Sequence, residues 1–353
     1  MSWPSNTVTL SGGQWMTAGY TFLTGRELLT NTAGAWAVID ATPGTAGSSP
    51  IHLTSAFGYA FYAATGVGAL WVAQGASARA VATSVAITNV RGIASFSNAI
   101  VVAAGSPASL LSVSIVPAMA SDGASDAAVV DLLNGAGITG VSKPVACSSG
   151  LFFYGSHSGT RQLWHVATLA HAPVSVYASA EPAGVPACVS LGVAFVDGGG
   201  AVRVRLNADA STVVVASPAF GYTNVSALTW VWAGVCFSAV TQPGTPPEII
   251  CAGTPGGDFS LVTRSSAVGV SLPSEVGYML GFGRSVFTGC FIAGVGPHLC
   301  AYNAVAGSLC WSSKDDPRGL ALSYNAFGLV GNTLVFAAEA AGHGKATLWE
   351  LGL

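Results

Sequence analysis

Leu151-Phe-Phe-Tyr-Gly-Ser156 is the stretch whose build decides the fold. Turn-forming residues lead into an apolar run with an aromatic at its centre, and small residues with a glycine follow. A short apolar run bounded by turn signals reads as a β-strand. The same build recurs along the chain. It appears earlier as Tyr20-Thr-Phe-Leu-Thr-Gly, Tyr59-Ala-Phe-Tyr-Ala-Ala and Ala99-Ile-Val-Val-Ala-Ala, and later as Val193-Ala-Phe-Val-Asp-Gly and Val235-Cys-Phe-Ser-Ala-Val. Gly289-Cys-Phe-Ile-Ala-Gly and Thr333-Leu-Val-Phe-Ala-Ala complete the set. Self-similarity of this kind marks a repeat architecture.

The central positions are Phe22, Phe61, Val101, Phe153, Phe195, Phe237, Phe291 and Val335, spaced by 39, 40, 52, 42, 42, 54 and 44 residues. A four-stranded propeller blade takes roughly 40 to 50 residues, so the two long gaps read as loop insertions. A further strand follows most of these cores, as in Ala35-Trp-Ala-Val-Ile, Ala69-Leu-Trp-Val, Gln162-Leu-Trp-His, Glu248-Ile-Ile-Cys and Thr347-Leu-Trp-Glu. The join from the last core through the termini to the first spans 40 residues, one full repeat. The expected fold is therefore all-β: a closed β-propeller of about eight four-stranded blades, with seven as the alternative. It fills residues 1–353 as a single domain, and the N-terminal strand Thr7-Val-Thr-Leu closes the last blade. Closure removes exposed sheet edges, which otherwise invite aggregation. One helix is expected, over Ser125 to Asn134, as a decoration of the long third repeat.

The chain has 353 residues, 51% of them hydrophobic and only 8% charged, with 45 glycines and 17 prolines. An average soluble domain carries roughly 25% charged residues. Apolar content without charge raises the question of membrane spans, but a spanning helix needs about 20 uninterrupted apolar residues. Ala99–Ala104 and Val185–Val196 are short and broken by turn formers, so no transmembrane segment is expected. Met1-Ser-Trp-Pro-Ser-Asn lacks the basic and apolar regions of a secretory signal. A formal net charge of −3 without a basic run gives no footprint for phosphates, and nucleic acid is not an expected partner. The seven cysteines form no C-x-x-C pair and sit largely in strand-like runs, so they read as buried, reduced thiols.

Two repeats carry a family resemblance. Phe327-Gly-Leu-Val-Gly-Asn-Thr-Leu-Val-Phe-Ala-Ala-Glu-Ala-Ala-Gly-His-Gly-Lys-Ala-Thr-Leu-Trp-Glu resembles the ELW-type propeller repeats of bacterial extracellular and surface proteins. Leu53-Thr-Ser-Ala-Phe-Gly-Tyr-Ala-Phe-Tyr-Ala-Ala-Thr-Gly-Val-Gly-Ala-Leu-Trp-Val does the same, and Ile39-Asp-Ala-Thr-Pro-Gly-Thr is similar to their inter-blade turn. The resemblance implies a propeller fold. Ala69, Gln162 and Thr347 depart from it, standing where the acidic residue before Leu-Trp is expected.

No catalytic or metal-binding constellation emerges. The histidines lack metal spacing, and the Gly-rich turns that hold His157 and His343 read as polar turns. Gly198-Gly-Gly200 leads into Val202-Arg-Val-Arg, a strand, and so reads as a hairpin turn rather than a phosphate loop. No G-x-S-x-G elbow is present. The one dense charged cluster, Lys314, Asp315, Asp316 and Arg318, is the first candidate for a recognition loop, because charge is so rare elsewhere. Trp230 and Trp232 lie on one face of a strand, the arrangement of a sugar-stacking platform. Trp36, Trp71, Trp164 and Trp349 occupy equivalent positions and read as blade-packing residues.

The composition points to a non-enzymatic structural or protein-interaction propeller, a component of a virion, shell or surface assembly, with protein partners or self-assembly and no cofactor or metal. A surface with three lysines suits a protein packed against partners. A carbohydrate-binding propeller is the alternative reading, and a propeller hydrolase or lyase comes third.

Overall fold

The computed structural model describes residues 9–10, 13–14 and 39–40, and most of 50–352. The gaps in that long stretch are 57–58, 65–69, 75–76, 82, 106–107, 116–126, 180–184, 232–233, 253–261, 264–269, 273–277, 284, 295, 305–307, 314–320, 331–332 and 340–345. Seven main sheets follow one another, six of four strands and one of five. Sheet 1 comprises Pro50–Ala56, Tyr59–Ala64, Leu70–Gln74 and Ser77–Val81, and sheet 2 comprises Val90–Phe96, Ala99–Gly105, Ala108–Ser114 and Val129–Asp131. Sheet 3 runs through Val145–Cys147, Gly150–His157, Thr160–Val166 and Val174–Tyr177. Sheet 4 runs through Ala187–Val189, Gly192–Val196, Val202–Leu206 and Thr212–Ala216. Thr223–Val231, Gly234–Val240, Glu248–Ala252 and Val262–Thr263 build sheet 5. Sheet 6 is the five-stranded one: Val270–Ser271 and Met279–Phe282 both pair with Ser285–Ile292, followed by Gly296–Asn303 and Ser308–Ser312. Sheet 7 joins Ala321–Val330, Thr333–Glu339 and Ala346–Gly352 to Ile39–Asp40 from the other end of the chain. Each sheet is an antiparallel meander, and successive sheets pack face to face around a centre: the fold is a β-propeller.

Packing explains why the second strands read as continuous apolar runs instead of alternating ones. A strand with one wet face alternates, whereas a strand covered on both faces is apolar throughout. In sheet 3, Leu151 and Phe153 pack with Val101 and Ala103 of sheet 2. The intervening Phe152 and Tyr154 pack with Val193 and Phe195 of sheet 4. Ala194 and Val196 then point the other way, toward Val235 and Phe237 of sheet 5. The core is thus a series of layers between blades, and one strand feeds two of them. Fully burying each such side chain contributes about 1.5–3 kcal/mol. A buried hydrogen bond also crosses a layer, from the Val196 N–H to the Tyr154 hydroxyl at 2.9 Å.

The structure corrects four expectations. Six four-stranded sheets and a five-stranded one replace eight blades. Seven of the eight core positions fall in second strands, but one of these, Phe291, is 49% exposed and Phe287 is the buried ring of its strand; the eighth, Phe22, lies outside the described residues. The strand that closes the last blade is Ile39–Asp40, hydrogen-bonded to Leu348 and Thr347, rather than Thr7-Val-Thr-Leu; Thr9–Leu10 instead pairs with Gly13–Gln14. The expected helix over Ser125 to Asn134 contains a strand, because Val129–Asp131 pairs with Leu111–Val113 and completes sheet 2. Finally, Cys236–Cys251 and Cys290–Cys300 are disulfides, not reduced thiols. Sheet pairing sets Cys236 directly opposite Cys251, and distant cysteines need that proximity to bond.

The insertions follow expectation. One lies between the third and outer strands of sheet 2, and another splits the inner edge of sheet 6 into two strands. The Leu-Trp segments of sheets 1 and 3 are third strands whose indoles, Trp71 and Trp164, are buried. Trp36 lies outside the described residues, as does the side chain of Trp349.

Candidate functional site

Every sheet presents an inner-edge strand to the centre, the first of the sheet except in sheet 6, where it is Met279–Phe282, and these strands enclose a channel of about 430 Å³. Convergence leaves little room between neighbouring strands, and glycine is used where they touch. A Cβ on Gly281 would come 1.8 Å from the Trp230 carbonyl oxygen, and one on Gly92 would come 2.4 Å from Cβ of Lys143. A Cβ on Gly328 would come 2.7 Å from Leu53. These contacts hold sheet 5 to sheet 6, sheet 2 to sheet 3, and sheet 7 to sheet 1.

The lining is mostly apolar side chain and backbone. Lys143, Cys188 and Tyr278 are the ionisable side chains among the described lining residues. Lys143 precedes the first strand of sheet 3, and its Nζ lies 3.3 Å from the centroid of the Tyr278 ring. That cation–π contact stands where a carboxylate would ordinarily be. Burial lowers the Lys143 pKa to about 7 and raises that of Tyr278 to about 12, since both charged forms lose water. His52, on the first strand of sheet 1, is brought down to about 4 by burial and by the Lys143 charge, against a hydrogen-bonding contact with the Val90 carbonyl. At neutral pH His52 is therefore an uncharged imidazole.

Of the residues singled out in sequence, Trp230 lies in the first strand of sheet 5 and lines this channel, half-buried. Trp232 lies outside the described residues, as do Lys314, Asp315, Asp316 and Arg318. His157 ends the second strand of sheet 3 and is exposed beside the Ser158-Gly159 turn, while His343 is outside the described residues. Gly198–Gly200 is a hairpin turn as expected. There the Asp197 carboxylate accepts hydrogen bonds from the N–H groups of Gly199 and Ala201 and pairs with Arg203. Among the described residues no group of three or more His, Cys, Asp or Glu could hold a metal ion. No helix among them is long and apolar enough to cross a membrane.

Lys143 and Tyr278 were missed in sequence. The available signal was scarcity: Lys143 is one of three lysines and stands immediately before an inner strand.

The outer edges differ from the channel. The outermost strand of sheet 3, Val174-Ser-Val-Tyr177, and that of sheet 4, Thr212-Val-Val-Val-Ala216, contain no charged residue. Val174 is 62% exposed and Val214 44%; on sheet 2, Val130 is 56% exposed.

No family model matches the chain, and no curated protein matches it. Solved structures do. YCF48 bound to D1 peptide is 11% identical with a TM-score of 0.54, over 91% of this chain and 98% of that one. An oligogalacturonate lyase in complex with manganese is 13% identical with a TM-score of 0.54, covering 84% and 85%. A puromycin-hydrolyzing peptidase of Mycobacterium tuberculosis is 14% identical with a TM-score of 0.54, over 89% of this chain but 55% of that one. Function differs among these neighbours, and what the likeness establishes for this chain is the β-propeller fold.

Proposed function

We propose that the chain is a non-enzymatic interaction propeller that docks protein partners or further copies of itself through its outer edges. The observation that carries this reading is the pair of uncharged, valine-bearing edge strands, Val174–Tyr177 and Thr212–Ala216. An outer strand offers a row of unpaired N–H and C=O groups, and free proteins usually blunt such edges with lysine, proline or bulges. Here the uncharged side chains favour the addition of another strand, and each edge carries a single bulge, at Val176 and at Val215. A chain with 8% charged residues suits close packing in a virion, shell or surface layer. The makeup of the channel also supports the reading, because its described lining offers no carboxylate pair for acid–base work. YCF48, which has the same fold, is described with a bound peptide.

The test is size exclusion with light scattering on the wild-type chain and on a Val174→Lys, Val214→Lys double variant. Concentration-dependent assembly that the variant abolishes is the expected outcome. A wild-type chain that stays monomeric throughout, and pulls down no partner, would overturn the reading. A carbohydrate-binding propeller is the second reading, favoured by Trp230 on the channel wall. A glycan array is its test, with binding lost in Trp230→Ala.

A further inference from the structure

Cys147 ends the first strand of sheet 3 and Cys188 sits at the middle of the first strand of sheet 4. These are neighbouring inner strands, 41 positions apart in sequence. Both thiols are free, Cys188 is exposed, and Cys147 is half-buried. Their side chains meet across the junction, near enough for each to shift the other's proton affinity. A second polar link crosses beside them, from Asn207 Nδ2 to Ser148 Oγ at 3.2 Å. Both disulfides described lie within single sheets, Cys236–Cys251 in sheet 5 and Cys290–Cys300 in sheet 6. The Cys147/Cys188 pair spans two.

We propose that Cys147 and Cys188 form an oxidisable dithiol site, at which a hydroperoxide converts the adjoining pair into a disulfide that staples sheet 3 to sheet 4 beside the channel. The two positions have different roles. Cys188 is the attacking thiolate: it is the exposed thiol of the pair, and the neighbouring Cys147 thiol, with the Ser148 backbone, holds its pKa below the ordinary thiol value. Cys147, partly buried and pushed up in pKa by its neighbour and by burial, keeps its proton and resolves. The Cys188 thiolate displaces hydroxide from the peroxide O–O bond and becomes a sulfenic acid. The Cys147 sulfur then attacks that sulfur, its proton and the hydroxyl leaving as water. Two thiols and one hydroperoxide give one disulfide and, for hydrogen peroxide, two waters. The two sulfurs are oxidised and the peroxide oxygens reduced.

The experiment is peptide-level mass spectrometry of the full chain titrated with hydrogen peroxide, together with alkylation of the untreated chain. In the wild type, Cys188 should alkylate about tenfold faster than Cys147. Peroxide should remove both from alkylation together, with a loss of two hydrogens located on a Cys147–Cys188 linked peptide. The Cys147→Ser variant should stop at a Cys188 sulfenic acid trapped by dimedone, and the Cys188→Ser variant should stay unreacted at Cys147. The linked form should melt at a higher temperature than the reduced one, because the cross-link restrains the unfolded chain. The proposal is overturned if oxidised wild type contains no Cys147–Cys188 linkage. It is equally overturned if Cys188 is oxidised while Cys147 still alkylates. The alkylation and linkage measurements use the unmutated chain, so a variant that fails to fold leaves the test intact.

Discussion

The channel wall and the outer rim are two ends of the same sheets, and they are built under opposite constraints. At the wall, strands from successive sheets converge until backbones touch. Space is the limiting quantity, and Gly92, Gly281 and Gly328 sit where a Cβ would collide. At the rim the sheets diverge. Val130, Val174 and Val214 stand in solvent, and among the described residues no neighbouring strand covers the edges they occupy. Volume is therefore what a mutation disturbs at the wall, and unsatisfied surface is what a mutation relieves at the rim.

The sharpest way to break that contrast is Gly281→Val. Its side chain would enter the Trp230 backbone, and overpacking against backbone costs about 1–3 kcal/mol or more. Chemical denaturation should show a loss at the top of that range, or no folded protein. A cost below about 1 kcal/mol would mean that the wall has slack. In the layers between wall and rim the opposite change applies: Phe195→Ala, fully buried between sheets 3 and 4, should cost about 3–5 kcal/mol by leaving a cavity.

Lys143 tests the electrostatics of the wall. Its pKa falls from 10.5 unfolded to about 7 in the folded chain, so the unfolded chain holds the extra proton between those values. Stability should therefore rise with pH from about 7 to about 10, by up to about 1.4 kcal/mol per pH unit. Above about 10 the raised pKa of Tyr278 opposes the trend. Lys143→Met should flatten the slope and stabilise the protein at pH 7, as urea titrations across that window would show. An unchanged slope would mean that the ammonium is well hydrated.

Tyr154→Phe removes the acceptor for the Val196 N–H and leaves a buried donor unpaired, a loss of about 1–3 kcal/mol measurable by denaturation. The smallest effect on stability belongs to the rim. Val214→Lys should change folding by no more than about 0.5 kcal/mol while weakening assembly in light scattering. A large loss of stability there would place Val214 in the core and remove the contrast.

The resemblance to ELW-type repeats points to the propeller class, which the sheets display, while the repeat type itself has no matching family model. The spacing of Phe61, Val101, Phe153, Phe195, Phe237 and Val335 was legible because one buried strand per sheet has the same local environment each time, whereas Phe291 is exposed and Phe287 is the buried ring of its strand. The candidate site was legible only at Trp230. Lys143 and Tyr278 belong to different sheets and are 135 positions apart, so no local pattern links them.

By itself the sequence determined the all-β class, the period of the repeat and the strand at the heart of each sheet, because apolar runs and turn residues act over a few neighbours. Tertiary structure alone decided how many sheets close the ring and that Ile39–Asp40 closes it. It also decided that Cys236 meets Cys251 while Cys147 meets Cys188, and that Lys143 lies against an aromatic face instead of in water. Each of these depends on which distant segments converge at the centre, and convergence is set by the packing of whole sheets against one another.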